Sequence, residues 1–486
     1  MSEQLGITVK KSKDFSRWFS QVVQKAELGD LRYNVKGFLV HRCWSVRIMK
    51  IMYNLLEREL EKTGHEPVWF PAVIPESNFK KEREHVKGFL PGVFWITEGG
   101  KEGKRLEERL ALRPTSETAM YGMYSIWIRS WRDLPFKRYQ SCQVWRFEGK
   151  GTRPFIRGRE FYWIEGHNAF ATEEDAKKQV KEDMEITEKF MHEQCGIPFK
   201  FFKRPEHDKF PGAVHTYAAD SIMPDGKAIQ QPSTHLLGQN FAKPFNIKFV
   251  DKNEKEKYVW QTCYGPAIWR IFASLIAVHG DDNGLILPPK VAPIHVVIVP
   301  IIFEGKEKVV LNKAKKIEKL LEKNGILVKL DNREAYTPGW KFNEWELKGV
   351  PIRMEIGPKD VKKKQVILVR RDTGKKITTK DTIIIKSIKN LLDNIQKNLI
   401  RKADKFMDGY FFKAKDMKEL ENIIRERGGF VRINWCGSVD CADNIKFETE
   451  GSEMKGTLFD KKETPDGNCI YCNKKAREVV YVAKAY

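Results

Sequence analysis

The chain has 486 residues, 41% hydrophobic and 31% charged, a balance that excludes a disordered or fibrous protein and allows about three domains. No apolar run approaches the roughly 18 residues of a membrane span, and the opening residues through Lys10-Lys11-Ser12-Lys13-Asp14 hold no apolar core of signal-peptide length, so a cytoplasmic protein without a membrane partner is expected. Lysine and arginine number 87 against 65 aspartates and glutamates, a net +22, which points to a polyanionic partner such as nucleic acid, with a lysine-rich surface kept for solubility as the alternative.

The chain shows no internal repeat and no low-complexity tract. Its first segment runs to Pro288-Pro289. Val46, Met49, Met52, Leu56 and Leu60 fall at three- and four-residue steps, which predicts a helix ending before Gly64. Pro67-Val68-Trp69-Phe70-Pro71-Ala72-Val73 reads as a strand, placed at a sheet edge by its prolines.

Farther on, Cys142 to Glu148, the loop Gly149-Lys150-Gly151, and Arg157 to His167 read as two strands joined by a turn. Side chains alternate faces with period two. Arg146 and Glu148 then share a face, as do Arg157, Arg159, Phe161, Trp163, Glu165 and His167. Such a face makes a poor dry core and a good site for a ligand with phosphates, a flat ring and an ammonium group. The bland alternative is an exposed, salt-bridged hairpin. The Gly99–Arg105 stretch lacks the Gly-Lys-Ser/Thr ending of a phosphate loop, and no Gly-x-Gly-x-x-Gly joins a strand to a helix. A nucleotide would have to be held by arginines on an antiparallel sheet.

After Pro289 the texture changes. His295–Val299 predicts a buried strand, 306–323 a helix and Ile326–Leu330 a second strand, a βαβ rhythm. A third segment begins near Lys402. Of eight cysteines, Cys436, Cys441, Cys469 and Cys472 crowd into the last tenth of the chain. The pairs Cys436-x4-Cys441 and Cys469-x2-Cys472, 27 residues apart, suit a closed tetrahedral S4 site, and hence structural zinc, better than disulfides in a cytosolic chain. Four free or disulfide-paired thiols are the alternative.

Leu112-Arg113-Pro114-Thr115-Ser116-Glu117-Thr118, Arg146-Phe147-Glu148 and the run from Arg153 to His167 resemble the active site of the class II prolyl-tRNA synthetases. Pro338-Gly339-Trp340 through Gly349-Val350-Pro351 resembles the anticodon-binding domain of that family. The likeness covers nearly the whole chain and marks the archaeal and eukaryotic branch. It implies an α/β multidomain fold in three parts: an antiparallel-sheet class II catalytic domain at 1–288, an α/β anticodon-binding domain at 289–401, and a small α+β zinc-binding-like domain at 402–486.

The resemblance also implies the chemistry. L-Proline and ATP, with Mg2+, would give prolyl-adenylate, and proline would pass to the 3′ end of tRNA(Pro). Residues 46–73 would form motif 1 and a homodimer interface. Arg146 would bridge the proline carboxylate and the α-phosphate, with Glu148 as its motif 2 partner. Arg157 would take the outer phosphates, Phe161 would stack on adenine, and Arg270 would be the motif 3 arginine. These charges stabilise the transferring phosphoryl group. Gln230 and Ser233 match positions that contact ATP. Thr115 and Glu117 would bind the secondary ammonium, Trp163 and His167 would wall the ring with Glu165 beneath, and His235 would close the site. Phe342, Glu346, Arg353 and Lys359 would read the anticodon, and Tyr486 would turn towards the active site.

The chain departs from the family pattern at Gly92, Gly158, Gln231-Pro232, Ser233, Cys43-Trp44-Ser45 and the interval Gly265–Arg270. None removes a charge needed for activation. Two rivals stay open here: a non-catalytic, synthetase-like tRNA-binding regulator, and another class II specificity. Only about a hundred residues separate His167 from Cys263, so no inserted editing domain is expected.

Overall fold

The computed structural model describes residues 6–83, 92–149 and 151–486, without the side chains of 80–83. Met1–Leu5 and Lys150 of the predicted turn lie outside them. Eleven strands form one sheet whose centre is antiparallel. From the middle to one edge run His215–Ile222, Ala228–Gly238, Trp260–Gly265, Glu160–Phe170, Phe136–Trp145 and Glu66–Pro67. Only the outermost pairs, Glu66–Pro67 on Phe136–Trp145 and Phe411–Lys413 on Phe430–Trp435, are parallel. The strand Glu160–Phe170 is buried on both faces over most of its length. The helix Ile268–His279, apolar nearly all round, packs on one face, as a wholly buried helix must.

The helix expected around Val46–Leu60 comes after an earlier one at Phe15–Lys25; it spans Cys43–Lys62, and Gly64 follows at φ +83°. Its buried stripe is Trp44, Ile48, Met49, Met52, Leu56 and Leu60. Val46 lies only partly buried beside it. The strand expected at 67–73 is corrected: only Glu66–Pro67 and Val73–Pro75 pair. Pro67 and Pro71 have no N–H to give a ladder, and the segment between is pinned otherwise. Val68 donates to the Tyr139 oxygen at 2.8 Å and Phe70 to Oε1 of Gln140 at 3.0 Å.

The hairpin is also corrected in extent. Its strands are Phe136–Trp145 and Glu160–Phe170, so Arg146, Glu148, Arg157 and Arg159 stand in the connection, not on a strand face. Pro154 and the left-handed Phe155 (φ 60°) turn the chain before the ladder resumes. Arg146 continues the pairing by one bond, its N–H to the Arg159 oxygen at 2.9 Å.

A separate five-stranded sheet carries the βαβ unit. Val296–Pro300 pairs in parallel with Val328–Leu330 and Ile352–Ile356, and the helix Glu307–Lys323 connects the first two. The helix Ile384–Asp408 runs unbroken through Lys402, where the third segment was expected to start. That segment does not stand apart. Its strands Phe411–Lys413, Phe430–Trp435, Glu478–Lys484 and Ser452–Leu458 extend the large sheet, joined through Ser452–Leu458 on Lys200–Lys203.

Candidate active site

One cavity of about 400 Å³ opens on the large sheet. Its lining brings together Thr115, Glu117, Arg146, Phe161, Trp163, Glu165, His167, Gln230, Ser233, His235 and Arg270, all predicted from sequence. Period two does this for the strand Glu160–Phe170, where Phe161, Trp163, Glu165 and His167 face the same way. Glu117 opens the helix Glu117–Trp127, where the positive end of the helix dipole favours a carboxylate.

The floor is a closed network. Glu165 accepts from Ser116 Oγ, from Ser116 N at 3.1 Å and from Gln140 Nε2 at 2.8 Å, and lies 3.1 Å from Nε2 of His167. Burial alone would push the Glu165 carboxyl up, but His167 and the Ser116 and Gln140 donors hold it at about 2. Burial likewise works against a charged His167, and is outweighed by Glu165 and the nearby Glu117, which raise it. Tyr121 OH stands 3.1 Å from Nδ1 of the same ring. Thr115 Oγ1 donates to Glu117.

Arg146 donates through Nε to the Pro114 oxygen at 3.0 Å and stands 5.2 and 5.4 Å from the rings of Phe161 and Trp163. Burial lowers its pKa while Glu117, Glu148 and Glu165 support the cation. Burial and the repulsion of Arg146 and Arg157 bring Arg270 down to about 10. Both remain cationic at neutral pH, so the site concentrates positive charge where an anion would sit. His235 is held at about 3 by burial, Arg204 and His167, and is therefore a neutral ring between Thr216 Oγ1 (2.9 Å) and Ser233 Oγ (3.0 Å). The arrangement can bind an amino acid by its ammonium and a polyphosphate by its arginines, and can neutralise charge between them.

Three matches each span a different part of the chain: a tRNA synthetase class II core domain (G, H, P, S and T) at 94–279, an anticodon-binding domain at 295–394, and a prolyl-tRNA synthetase C-terminal domain at 417–486. A proline–tRNA ligase of Thermofilum pendens is 57% identical over 487 residues, covering 100% of both chains. The chain belongs to the prolyl-tRNA synthetase family. One of Pyrococcus abyssi is 44% identical over 98% of both chains. The crystal structure of the prolyl-tRNA synthetase from Cryptosporidium parvum, complexed with halofuginone and AMPPNP, superposes with a TM-score of 0.92 at 34% identity, over 100% of this chain and 98% of that one.

Two predicted residues of this synthetase fold stand outside the cavity lining. Glu148 and Arg157 face each other at 3.8 Å, and Arg157 Nη2 donates to the main-chain oxygen of Tyr486 at 3.0 Å. Tyr486 is thus tied to Arg157, and its hydroxyl donates to Asp225 at 2.6 Å. Two departures from the family pattern have local causes. A Cβ on Gly92 would lie 2.6 Å from the Phe147 oxygen, and one on Gly158 2.4 Å from the indole of Trp269. Trp269 therefore occupies the space a side chain at 158 would take.

In the second sheet Arg353 lies 4.1 Å over the Phe342 ring, and Glu346 and Arg353 line a cleft of about 160 Å³. Lys359 sits apart from this cleft, on the short helix Pro358–Lys362. The four predicted cysteines converge, with all four sulfurs within 4.8 Å of one another. Cys436 lies 3.6 Å from Cys441 and 3.7 Å from Cys472, sulfur to sulfur. A tetrahedron of Zn–S bonds of about 2.3 Å has edges of about 3.8 Å, so the donor set fits zinc.

Sequence reading missed one wall. Arg204, His207, Asp208, Lys209 and Phe210 also line the cavity. Their only signal was a dense polar run between two strands, ended by Pro211-Gly212.

Proposed function

We infer that this chain is a proline–tRNA ligase that activates L-proline with ATP and its Mg2+ and then charges tRNA(Pro). The observation that carries the reading is the single cavity in which Thr115, Glu117, Trp163, Glu165 and His167 stand beside Arg146 and Arg270. Glu117 and Thr115 take the secondary ammonium, and the fixed Glu165–His167 pair holds the floor while Trp163 and His167 wall the ring. Arg146 neutralises the proline carboxylate and the α-phosphate together, so that a carboxylate oxygen can attack phosphorus and diphosphate can leave. Arg270 and Arg157 counter the phosphate charge, with Glu148 orienting Arg157. Phe161 offers a face to adenine, and Gln230 and Ser233 supply polar contacts. His235 closes the proline end. The terminal ribose hydroxyl of tRNA then attacks the carbonyl, and AMP leaves. Most of the rate comes from placement and preorganised charge.

Phe342, Glu346 and Arg353 are the anticodon readers of this reading: an aromatic face, an acceptor and a donor suit unpaired guanines. Lys359 lends charge at a distance. Zinc bound by Cys436, Cys441, Cys469 and Cys472 closes the third part as a structural site. The functional division remains 1–288, 289–401 and 402–486, with the last edge inside a helix.

A cytoplasmic homodimer completes the proposal. Trp69 is 89% exposed, and Met123, Ile126 and Trp127 are also exposed, the kind of apolar surface that a partner covers. Charging of a tRNA(Pro) transcript with labelled proline tests the whole reading. Label on that tRNA, and none on a transcript with a changed anticodon, is the expected result; no label on either contradicts it.

A further inference from the structure

The missed wall is a turn between the strands Lys200–Lys203 and His215–Ile222, and the catalytic part alone does not hold it. Arg204 is 6% exposed and is attached twice. Its Nη1 donates to the main-chain oxygen of Lys455 at 2.8 Å. Its Nη2 lies 2.7 Å from Oδ2 of Asp220, a carboxylate with no exposed surface and no other hydrogen-bond donor among the described residues. A buried carboxylate needs such a cation.

Lys455 belongs to the third part of the chain, on the strand Ser452–Leu458, which pairs Thr457 with Lys203 and Leu458 with Phe202. Gly456 lies at φ +101°, where a Cβ would come within 1.9 Å of the Lys203 oxygen. Only glycine permits this approach. The exposed His207 adds an edge-on contact to Trp435 with ring centroids 6.0 Å apart. At the other end of the turn, Phe210 packs on His235 at 4.7 Å. Its N–H donates to Thr216 Oγ1 at 2.8 Å, the hydroxyl that also meets His235.

We propose that the third part of the chain, through Lys455 and Gly456, fixes Arg204, and that Arg204 is a positioning residue that sets the 204–211 turn against the amino-acid end of the cavity. The inference rests on the reading of the His235 end as the proline end. The cationic end is held mainly by other elements: Arg146 by the Pro114 oxygen, and Arg270 by the helix Ile268–His279, with the Asp220 carboxylate supporting its charge. Loosening the turn should therefore weaken proline binding and spare ATP.

The test uses the full chain with Gly456→Ala, Arg204→Met and Arg204→Lys. Proline-dependent ATP–pyrophosphate exchange gives KM for each substrate, and amide hydrogen exchange is followed over 203–216 without substrates. Gly456→Ala, whose methyl would press on the Lys203 oxygen and come 3.2 Å from Cα of Arg204, and Arg204→Met should each raise the proline KM by about tenfold and leave the ATP KM within about twofold. Both should speed amide exchange over 203–216 and leave 295–394 unchanged. Arg204→Lys, which keeps the charge but not the fork, should recover part of the loss. Equal rises in both KM values, or unchanged amide exchange in Gly456→Ala, would overturn the proposal. Should Gly456→Ala not fold, the two Arg204 variants decide by the same split. If the wild type exchanges no proline, the functional reading fails while the amide-exchange arm still decides the coupling.

Discussion

His167 and Glu165 form an ion pair, Nε2 to Oε2 at 3.1 Å, on side chains 1% and 2% exposed. Both charges are removed from water, and neither is left alone: Glu165 has the donors of Ser116 and Gln140, and His167 has Tyr121. Breaking one partner of such a pair leaves the other charge buried and uncompensated.

The pair sets a pH window. The Glu165 carboxyl, held at about 2, contributes stability that is present above its unfolded value of about 4.3 and is lost as pH falls towards 2. His167 is shifted the other way. Its contribution is whole below about 6.5 and is lost as pH rises through its folded value. Melting temperatures of wild type and His167→Gln should therefore differ most near about pH 5–6 and converge on the alkaline side. A constant difference from acid to alkaline pH would contradict this.

Gly158 should tolerate no side chain. Trp269 fills the space, with Nε1 donating to Nε2 of His41 at 3.1 Å. Burial keeps His41 neutral, at about 4, and so able to accept. Gly158→Ala forces a methyl into this packing and should cost about 1–3 kcal/mol in a urea melt. It should also raise the ATP KM, because Trp269 adjoins Arg270. A melt indistinguishable from wild type would refute the fit.

Much of the site was legible because its chemistry is written at short spacing. Period two on one strand placed Phe161, Trp163, Glu165 and His167 together, and paired cysteines announced their cluster. The βαβ rhythm after Pro289 marked the parallel part of the second sheet. Pairing between distant segments left no such trace. Nothing near Lys455 indicates that its carbonyl holds Arg204, and no local pattern shows Ser452–Leu458 extending the catalytic sheet. The 67–73 segment misled because β-propensity does not reveal where proline interrupts a ladder.

Glu346 should separate the two halves of the reaction. Its carboxylate accepts from Asn283 at 3.2 Å, in a cleft built on the second sheet and away from the cavity. Glu346→Ala should lower tRNA charging by roughly 5- to 150-fold, the range for losing a base-reading contact of ~1–3 kcal/mol, with ATP–pyrophosphate exchange preserved. Equal loss in both assays would indicate a folding defect instead.

Metal analysis of carefully prepared protein should find about one zinc per chain, as four convergent thiolates require. Cys441→Ser should lower that content and the melting temperature together. Less than about half an equivalent in the wild type would count against the site.

Amino-acid-dependent ATP–pyrophosphate exchange tests the central claim most directly. Proline should support exchange, and Arg146→Ala should lower it by at least ~3 kcal/mol in the activation step, the scale of one lost oxyanion-type donor. Alanine and cysteine should support weaker, measurable exchange, because each missing methylene weakens binding by only ~1–3 kcal/mol. The interval between His167 and Cys263 is filled by strands and helices of the catalytic part, so the same protein should not hydrolyse alanyl-tRNA(Pro). Exchange with another amino acid in place of proline, or near wild-type proline exchange by Arg146→Ala, would contradict the account.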